Sequence, residues 1–371
     1  MAYNWQQNDW TNFSYKKDKF ESIELTFQYI AGQSIGYLNG LSLSEQDESV
    51  INLLVKEAIK TSAIEGEYIS RIDVISSIRK SLGYTTPSVV IKDKRSEGIA
   101  ELLVKSRENF DQDLSNEVLF DWHKLLMRGN YTVEVGKWRT HQEPMQVVSG
   151  AIGKEKIHFE APPSNSVPTE MDIFISWFNA TNPNKSVTPV INPIIRSAIA
   201  HLYFLTIHPF EDGNGRIGRI IAEKALSQGL KRPILMSLSA SIEADKKLYY
   251  EALQKAQQSN KIDGWIDYFG QIILKAQHEF IQTVAFSLKK VRFFDSKKTQ
   301  LNERQFKVIR RMIDEGEDTF QGGMNARKYL AISKTSKATA TRDLQDLVEK
   351  KILIAKGGGR STNYQVNLDE V

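Results

Sequence analysis

The 371-residue sequence contains no cysteine. Disulfide bonds, thiol catalysis and thiolate metal sites are therefore excluded. No apolar run approaches the roughly 20 residues that a membrane-spanning helix needs. The first residues also lack the basic-then-apolar pattern of a secretory leader. We therefore expect a soluble, cytoplasmic protein that does not enter a membrane.

Net charge is also low, since 49 basic and 45 acidic side chains leave +4. So small an excess argues against a protein that binds nucleic acid over its whole surface. The excess lies at the C-terminal end, where residues 297–371 hold 15 basic and 10 acidic side chains. The length and a hydrophobic content of 41% predict two or three domains with sizeable cores.

The most informative segment is 208–219, which reads His-Pro-Phe-Glu-Asp-Gly-Asn-Gly-Arg-Ile-Gly-Arg. His208 precedes a proline, so its backbone is disfavoured in the α region and a helix should end there. The glycines around Asn214 allow backbone N–H groups to converge on a ligand. A helix that restarts at about Arg216 would direct its positive dipole end toward an anion.

The charged side chains of this segment suit phosphate chemistry. Arg216 and Arg219 are three apart on the expected helix, so they share a face and repel each other unless a polyanion such as a triphosphate lies between them. Asp212 offers the hard oxygen ligand that Mg²⁺ prefers. His208 has a suitable ordinary pKa to act as a general base toward a hydroxyl. Together these groups could support phosphoryl or nucleotidyl transfer without a covalent intermediate.

Segment 208–219 resembles, position by position, the signature His-Pro-Phe-x-Asp-Gly-Asn-Gly-Arg-x-x-Arg of the Fic family of protein adenylyltransferases. The resemblance implies that His208 deprotonates a Tyr, Ser or Thr hydroxyl of a target protein. The hydroxyl oxygen then attacks the α-phosphorus of ATP, so that AMP stays on the target and pyrophosphate leaves. It also implies that Asp212 holds Mg²⁺ between the α- and β-phosphates.

The same resemblance implies a set of ATP-binding residues. Asn214 and the flanking amides would stabilise the α-phosphate, and Arg219 would reach the γ-phosphate. A phosphorylating branch of the family carries a bulkier residue at the position of Gly215, so adenylylation is favoured. Tyr249 and Tyr250 lie at the spacing where relatives hold the nucleoside, although an ordinary aromatic pair is an equally good interpretation. The implied set is Asp212, Gly213, Asn214, Gly215, Arg216, Gly218, Arg219, Tyr249 and Tyr250.

A second motif precedes the signature. Residues 61–66, Thr-Ser-Ala-Ile-Glu-Gly, fit the inhibitory motif Ser/Thr-x-x-x-Glu-Gly/Asn of the same family. Glu65 would lie at a helix C-terminus, where the negative end of the dipole disfavours a carboxylate that has no cationic partner. Arg219 is the expected partner, and the pairing would keep Arg219 from the γ-phosphate. The alternative is an exposed glutamate at a frayed helix end.

Residues 144–160 read as a β-hairpin with glycines near its turn. In placement the hairpin resembles the flap by which members of the family clamp the main chain of a target. An exposed edge strand can bind varied sequences through backbone hydrogen bonds. A hairpin that simply covers the core is the alternative. We call residues 144–160 the flap.

The predicted fold is mostly α: a Fic-type helical core with a small β-hairpin flap, and a C-terminal winged helix-turn-helix domain. Residues 1–90 would form a helical extension that carries the inhibitory helix, about 49–66, and residues 91–292 would form the catalytic core. A polar boundary near 292–302 would lead to a winged helix at 300–371. Further helices are predicted at 17–40, 71–82, 94–110, 116–128, 168–180, 193–208, 216–228, 241–259, 262–290, 302–314, 325–331 and 336–350.

The leading hypothesis is an autoinhibited protein adenylyltransferase that uses ATP and Mg²⁺, modifies a target bound at the flap, and modifies itself. A homodimer is the expected assembly.

One alternative is a DNA-binding regulator that uses 300–371, but helix 336–350 mixes basic residues with Asp343, Asp346 and Glu349. That mixture suits phosphate binding poorly, so a role in dimerisation or partner binding is preferred. Another alternative is removal of AMP by the same site, with Glu65 positioning a water.

Overall fold

The structure, a computed structural model, describes residues 2–84, 91–130, 132–149, 156–185, 191–319, 323–358 and 362–368. These residues form fourteen α-helices and two antiparallel hairpins, which confirms the predicted, mostly α class. The chain divides into two compact units, Met1–Ile281 and Gln282–Val371. No helix among the described residues combines the length and apolar character needed to cross a bilayer.

Unit 1, Met1–Ile281, is a helical domain around one large hydrophobic core. Its last helix, α11, continues past Ile281 into unit 2. The helices are α1 Glu21–Asn39, α2 Leu43–Ile64, α3 Arg71–Ser81, α4 Lys94–Glu108, α5 Asn116–Leu126, α6 Val167–Ala180, α7 Pro193–Ile207, α8 Asn214–Leu230, α9 Leu238–Glu243, α10 Lys246–Ala256 and α11 Asp263–Lys297.

The centre of this core is helix α7. Each of its fifteen residues is buried, as expected for a helix that is apolar on nearly every side. Pro193 occupies its first turn, where a missing N–H costs nothing. The side chain of Asn192 caps the helix by accepting hydrogen bonds from the N–H groups of Ile194 and Ile195, at 2.8 and 3.4 Å. Helix α8 packs against α7, so the loop that joins them is held at both ends.

The inhibitory helix, helix 241–259 and the segment near 292–302 depart from their predicted bounds for identifiable reasons. The inhibitory helix starts at Leu43 rather than near 49, because Ser42 and Glu45 form a capping box ahead of it. The predicted helix 241–259 is two helices, since Asp245 accepts a hydrogen bond from Leu248 N–H and starts α10. The segment near 292–302 is helical as far as Gln300, and the two units separate earlier, after Ile281.

The flap contains the expected hairpin. Strands β1, Gln146–Ser149, and β2, Lys156–Glu160, pair antiparallel, with a bulge between Val147 and Val148. The N-terminal segment supports its base, where Trp5 Nε1 donates to the carbonyl of Glu160 at 2.7 Å. The predicted glycine-containing turn lies outside the described residues.

Unit 2, Gln282–Val371, has a separate hydrophobic core. The predicted order of three helices followed by a hairpin is confirmed. The elements are α12 Glu303–Thr319, α13 Ala326–Ser333, α14 Lys337–Glu349, β3 Leu353–Lys356 and β4 Asn363–Val366. Strands β3 and β4 pair antiparallel, with Leu353 opposite Val366.

Candidate active site

The signature residues lie in the loop between α7 and α8 and in the first turns of α8. Helix α7 ends at Ile207, as the following proline predicted, and His208 adopts the left-handed conformation with φ 51° and ψ 60°. The carboxamide of Asn214 closes the loop, because its Oδ1 accepts from the N–H of Phe210 at 2.9 Å and its Nδ2 donates to the carbonyl of Phe210 at 2.8 Å. Helix α8 therefore starts at Asn214, two residues before the predicted Arg216.

The two ring nitrogens of His208 have different environments. Its Nδ1 lies 3.3 Å from the carbonyl oxygen of Leu205, and a carbonyl can only accept, so Nδ1 is the protonated nitrogen. The other ring nitrogen, Nε2, is then left with a free lone pair. Desolvation, followed by the charge of Arg139, lowers the pKa of His208 to about 4. The imidazole is therefore neutral, and able to accept a proton, at pH 7.

Arg139, which the sequence analysis did not single out, supports this histidine. Its guanidinium is 1% exposed and donates to the carbonyl oxygens of His208 at 2.8 Å and Ile207 at 3.2 Å. It also donates to Ser164 Oγ at 2.8 Å and to the carbonyl of Pro162, just after the flap. One buried side chain therefore connects the end of α7 to the base of the flap.

His123 binds the same loop from the opposite side. Its role was not predicted from the sequence. Its Nδ1 accepts a hydrogen bond from Gly136 N–H at 2.9 Å, so Nε2 carries the proton and donates to the carbonyl of Asp212 at 3.2 Å. Its ring stacks on Phe210 with the centroids 4.1 Å apart. Burial lowers the pKa of His123 to about 4, which keeps the ring neutral.

The carboxylate of Asp212 faces outward. Its side chain is 42% exposed; Oδ1 accepts from Gly213 N–H at 2.6 Å and lies 3.5 Å from Arg216 Nη2. Such a carboxylate can still bind a metal ion. Among the described residues, no three acidic or histidine side chains come together to hold one. A magnesium ion here would therefore take its other ligands from phosphate and water, as Mg²⁺ commonly does.

The predicted pairing of Glu65 with Arg219 is present. Glu65 Oε1 lies 2.8 Å from Arg219 Nη2, and the arginine is only 1% exposed. Thr61, at the other end of the motif, accepts from Arg219 through its hydroxyl at 2.9 Å and its carbonyl at 3.0 Å. The remaining nitrogen, Nη1, is buried and has no hydrogen-bond partner among the residues that the structure describes. The threonine and the glutamate of the motif therefore bind the same guanidinium.

Arg216 is neutralised in the same way by a residue that the sequence analysis missed. Its Nη1 donates to Glu67 Oε2 at 2.7 Å, and the arginine is 3% exposed. Gly66, with φ +81°, makes the turn between the two glutamates. The two like-charged arginines on α8 are thus balanced by Glu65 and Glu67, carboxylates from the segment that ends α2.

Two residues of the implied ATP-binding set pack in the interior of unit 1. Tyr249 is 1% exposed, and its hydroxyl lies 2.8 Å from Nε2 of the buried His201. Tyr250, the next residue, is 37% exposed. Gly218 faces α7, where a Cβ would stand 3.2 Å from Leu205 Cδ2. Tyr249 and Gly218 therefore both contribute to packing, and their part in ATP binding stays a prediction.

The fold and the loop together define a Fic-type domain. Residues 113–226 match the model of the Fic/DOC family, so the chain contains a Fic/DOC domain. Residues 3–84 match a second model, described as a domain of unknown function, DUF4172.

Curated relatives of this domain are protein adenylyltransferases. The chain is 26% identical over 144 residues to protein adenylyltransferase fic-1 of Caenorhabditis briggsae, a match that covers 39% of this chain and 24% of the relative. It is 23% identical over 149 residues to protein adenylyltransferase Fic of Nematostella vectensis, which covers 40% and 30%. The chain thus spans less than a third of the length of these relatives.

Solved structures show the same fold. A Fic family protein from Desulfovibrio desulfuricans G20 superposes with a TM-score of 0.52 at 19% identity, covering 93% of this chain and 96% of that one. A Fic domain containing signaling protein from Bacteroides thetaiotaomicron gives 0.53 at 17% identity, covering 70% and 97%.

Proposed function

We propose that this protein is an autoinhibited adenylyltransferase that transfers AMP from ATP to a Tyr, Ser or Thr hydroxyl of a target protein, and to itself. The signature loop at 208–219 and the similarity to curated adenylyltransferases support the transfer. The ion pair between Glu65 and Arg219 supports the proposed autoinhibition.

The proposed chemistry follows from the positions of the loop residues. His208 Nε2 accepts the hydroxyl proton while the hydroxyl oxygen forms a bond to the α-phosphorus. The bond from that phosphorus to the bridging oxygen of the β-phosphate breaks, and pyrophosphate leaves. The amides at the start of α8 favour the phosphate charge, since a helix N-terminus binds anions. Asp212 would hold Mg²⁺, which neutralises the charge that develops on the phosphates.

Asn214 contributes indirectly in this proposal. Both ends of its carboxamide are hydrogen-bonded to Phe210, so the side chain keeps the loop in shape while backbone N–H groups face the phosphate. Arg216 and Arg219 supply positive charge toward the β- and γ-phosphates once their glutamates withdraw. The role of Asn214 is therefore to position the loop.

Autoinhibition follows from competition for Arg219. A guanidinium held by Glu65 and Thr61 cannot also receive the γ-phosphate, so ATP would bind with its α-phosphorus misaligned. A charge-assisted hydrogen bond contributes about 1.5–3 kcal/mol, enough to change a rate by roughly one to two orders of magnitude.

We propose that residues 1–90 supply this regulation and that residues 91–292 supply the catalysis. The flap at 144–160 is the proposed target site, and the chain works as a homodimer.

The test uses ATP labelled at either phosphorus. Purified wild type, Glu65→Gly, His208→Ala and Glu65→Gly/Arg219→Ala are incubated with Mg²⁺ and α-labelled ATP, and self-modification is measured. We expect Glu65→Gly to raise incorporation about ten- to hundredfold, and the double variant to lose that gain. His208→Ala should abolish incorporation while ATP binding is kept.

A parallel reaction with γ-labelled ATP separates adenylylation from phosphorylation, because AMP transfer leaves no γ-label on the protein. Label from the γ-position would contradict the proposed reaction. Equal α-labelling of wild type and Glu65→Gly would show that the α2 segment is only a scaffold.

A further inference from the structure

Positive charge is concentrated in unit 2. Residues 282–371 hold 18 basic and 11 acidic side chains, a net charge of +7, whereas the rest of the chain carries −3. A small domain with so basic a composition is typical of nucleic-acid binding, provided that the cations share a surface. The arrangement of charges on α14 therefore decides whether unit 2 can bind a polyanion.

Two acidic residues of α14 that argue against such binding in the sequence are held by other side chains of unit 2. Asp343 is 7% exposed and accepts a hydrogen bond from Tyr329 OH at 2.9 Å. Asp346 accepts from Gln305 Nε2 and from Lys350 Nζ, each at 2.6 Å. Asp343 is thus bound by neighbouring elements of the same unit, where Arg304 Nε also lies 3.3 Å from it. Asp346, whose side chain is 41% exposed, is neutralised by Lys350 at the end of its own helix, so neither carboxylate adds an unpaired negative charge to the outer face.

The outer face of α14 has a different composition. At 100° per residue its exposed side chains fall within one arc of about 140°. The face combines two cations, two hydrogen-bonding side chains and a small residue, with one acid at the C-terminal end. Its members are Lys337, Ala338, Thr341, Arg342, Gln345 and Glu349.

The helix that carries this face is the second of a helix-turn-helix. Helices α13 and α14 are joined by three residues, 334–336, and Ser336 caps α14 by accepting from Thr339 N–H at 3.2 Å. In such motifs the second helix enters the major groove of DNA and its N-terminal half reaches the bases. The exposed Lys337, Thr341 and Arg342 lie in that N-terminal half.

We propose that unit 2 binds duplex DNA, with the outer face of α14 in the major groove. Lys337 and Arg342 contact phosphates or guanine edges, and Gln345 and Thr341 offer hydrogen bonds to base edges. A duplex of RNA is disfavoured, since its major groove is too deep and narrow for a helix. The protein would thus combine an AMP-transferring unit with a DNA-binding unit.

The experiment is fluorescence anisotropy of the full-length protein with a labelled duplex of about 24 base pairs and random sequence. The salt concentration is varied between about 50 and 200 mM. We expect affinity to fall linearly with salt on logarithmic axes. Lys337→Gln/Arg342→Gln should reduce the slope by about two and weaken binding by about tenfold or more.

The matched control is Lys255→Gln, which removes an exposed cation from α10 in unit 1 and should leave DNA binding unchanged. Circular dichroism checks the fold of each variant, and self-modification by the double variant should equal that of wild type. No binding by wild type at the lowest salt, or equal affinity of the double variant, would overturn the proposal. So would equal affinity for duplex RNA or polyglutamate, which would indicate a different polyanionic partner.

Discussion

The carboxylate of Glu65 occupies the space into which a side chain at position 215 would project. A Cβ on Gly215 would overlap Glu65 Oε1 and lie 3.2 Å from Arg219 Nη1. The ion pair between Glu65 and Arg219 therefore requires a glycine at position 215. This requirement is independent of any bound nucleotide. Gly215 lies in α8 and has an ordinary helical conformation, so alanine can be introduced without backbone strain.

We predict that Gly215→Ala raises self-modification by displacing Glu65 from Arg219. The same substitution in a Glu65→Gly background should give no further increase, because no carboxylate remains to be displaced. Incorporation of α-labelled AMP by the four proteins measures both effects. Labelling of Gly215→Ala at the wild-type level, with ATP binding intact, would contradict the prediction.

Glu67→Gln should give partial activation. The substitution removes the ion pair of Glu67 with Arg216 and frees that arginine for a phosphate, while the Glu65 contact remains. Glu67 is 28% exposed, so we expect an increase of about fivefold, equivalent to about 1 kcal/mol. Glu108→Gln, at an exposed acid at the end of α4, is the control for net charge. A rate equal to that of this control would show that Glu67 has no regulatory part.

Arg139→Lys tests positioning of His208. In a Glu65→Gly background, we expect lysine to lower kcat about tenfold or more, because it cannot reproduce the branched hydrogen bonds to His208, Ile207 and Ser164. The KM for ATP should change little. Loss of ATP affinity in proportion to the rate would instead indicate general damage to the site.

The pH profile separates the charge of Arg139 from its geometry. The positive charge helps lower the pKa of His208, so Arg139→Gln should raise that pKa toward its ordinary value of about 6.5. The acid limb of the kcat profile should then move to higher pH. Arg139→Lys keeps the charge and should keep the position of that limb. Identical profiles for the two variants would contradict the electrostatic contribution.

Stability should fall in weak acid because burial lowers the pKa of two histidines of the core, in addition to that of His208. Burial lowers the pKa of His123 to about 4 and that of His201 to about 3, against about 6.5 in an unfolded chain. The folded protein thus binds fewer protons than the unfolded chain. The contribution of these histidines to the free energy of unfolding is therefore fully present above pH 6.5 and is lost as pH falls toward the folded pKa values. At pH 5 the loss is about 2 kcal/mol per histidine.

Urea unfolding at about pH 7.5 and 5 measures this loss. The signal is tryptophan fluorescence, since all six tryptophans lie in unit 1. His201→Gln removes one of the groups and should show a smaller decrease between the two pH values. An undiminished decrease in that variant would contradict the assignment to His201.

Features that depend on neighbours in the chain were predictable. The end of α7 just before His208 follows from Pro209, and the left-handed conformation at position 213 is one that glycine adopts readily. The Glu65–Arg219 contact was reached only through the resemblance of the motif at 61–66 to an inhibitory motif. The prediction of one helix over 241–259 was wrong, because Asp245 caps the start of a new helix within that range.

The sequence by itself determined the chemistry of the loop at 208–219, because turn geometry, helix ends and side-chain acidity are set by residues next to one another. Only the tertiary structure decided which distant groups support that loop: Arg139, His123 and Glu67 are 69, 89 and 149 residues from the groups they bind. It also decided that Asp343 faces inward while Lys337 and Arg342 face outward. A single sequence shows charge along a helix, but the packing of the other elements selects the face that is buried.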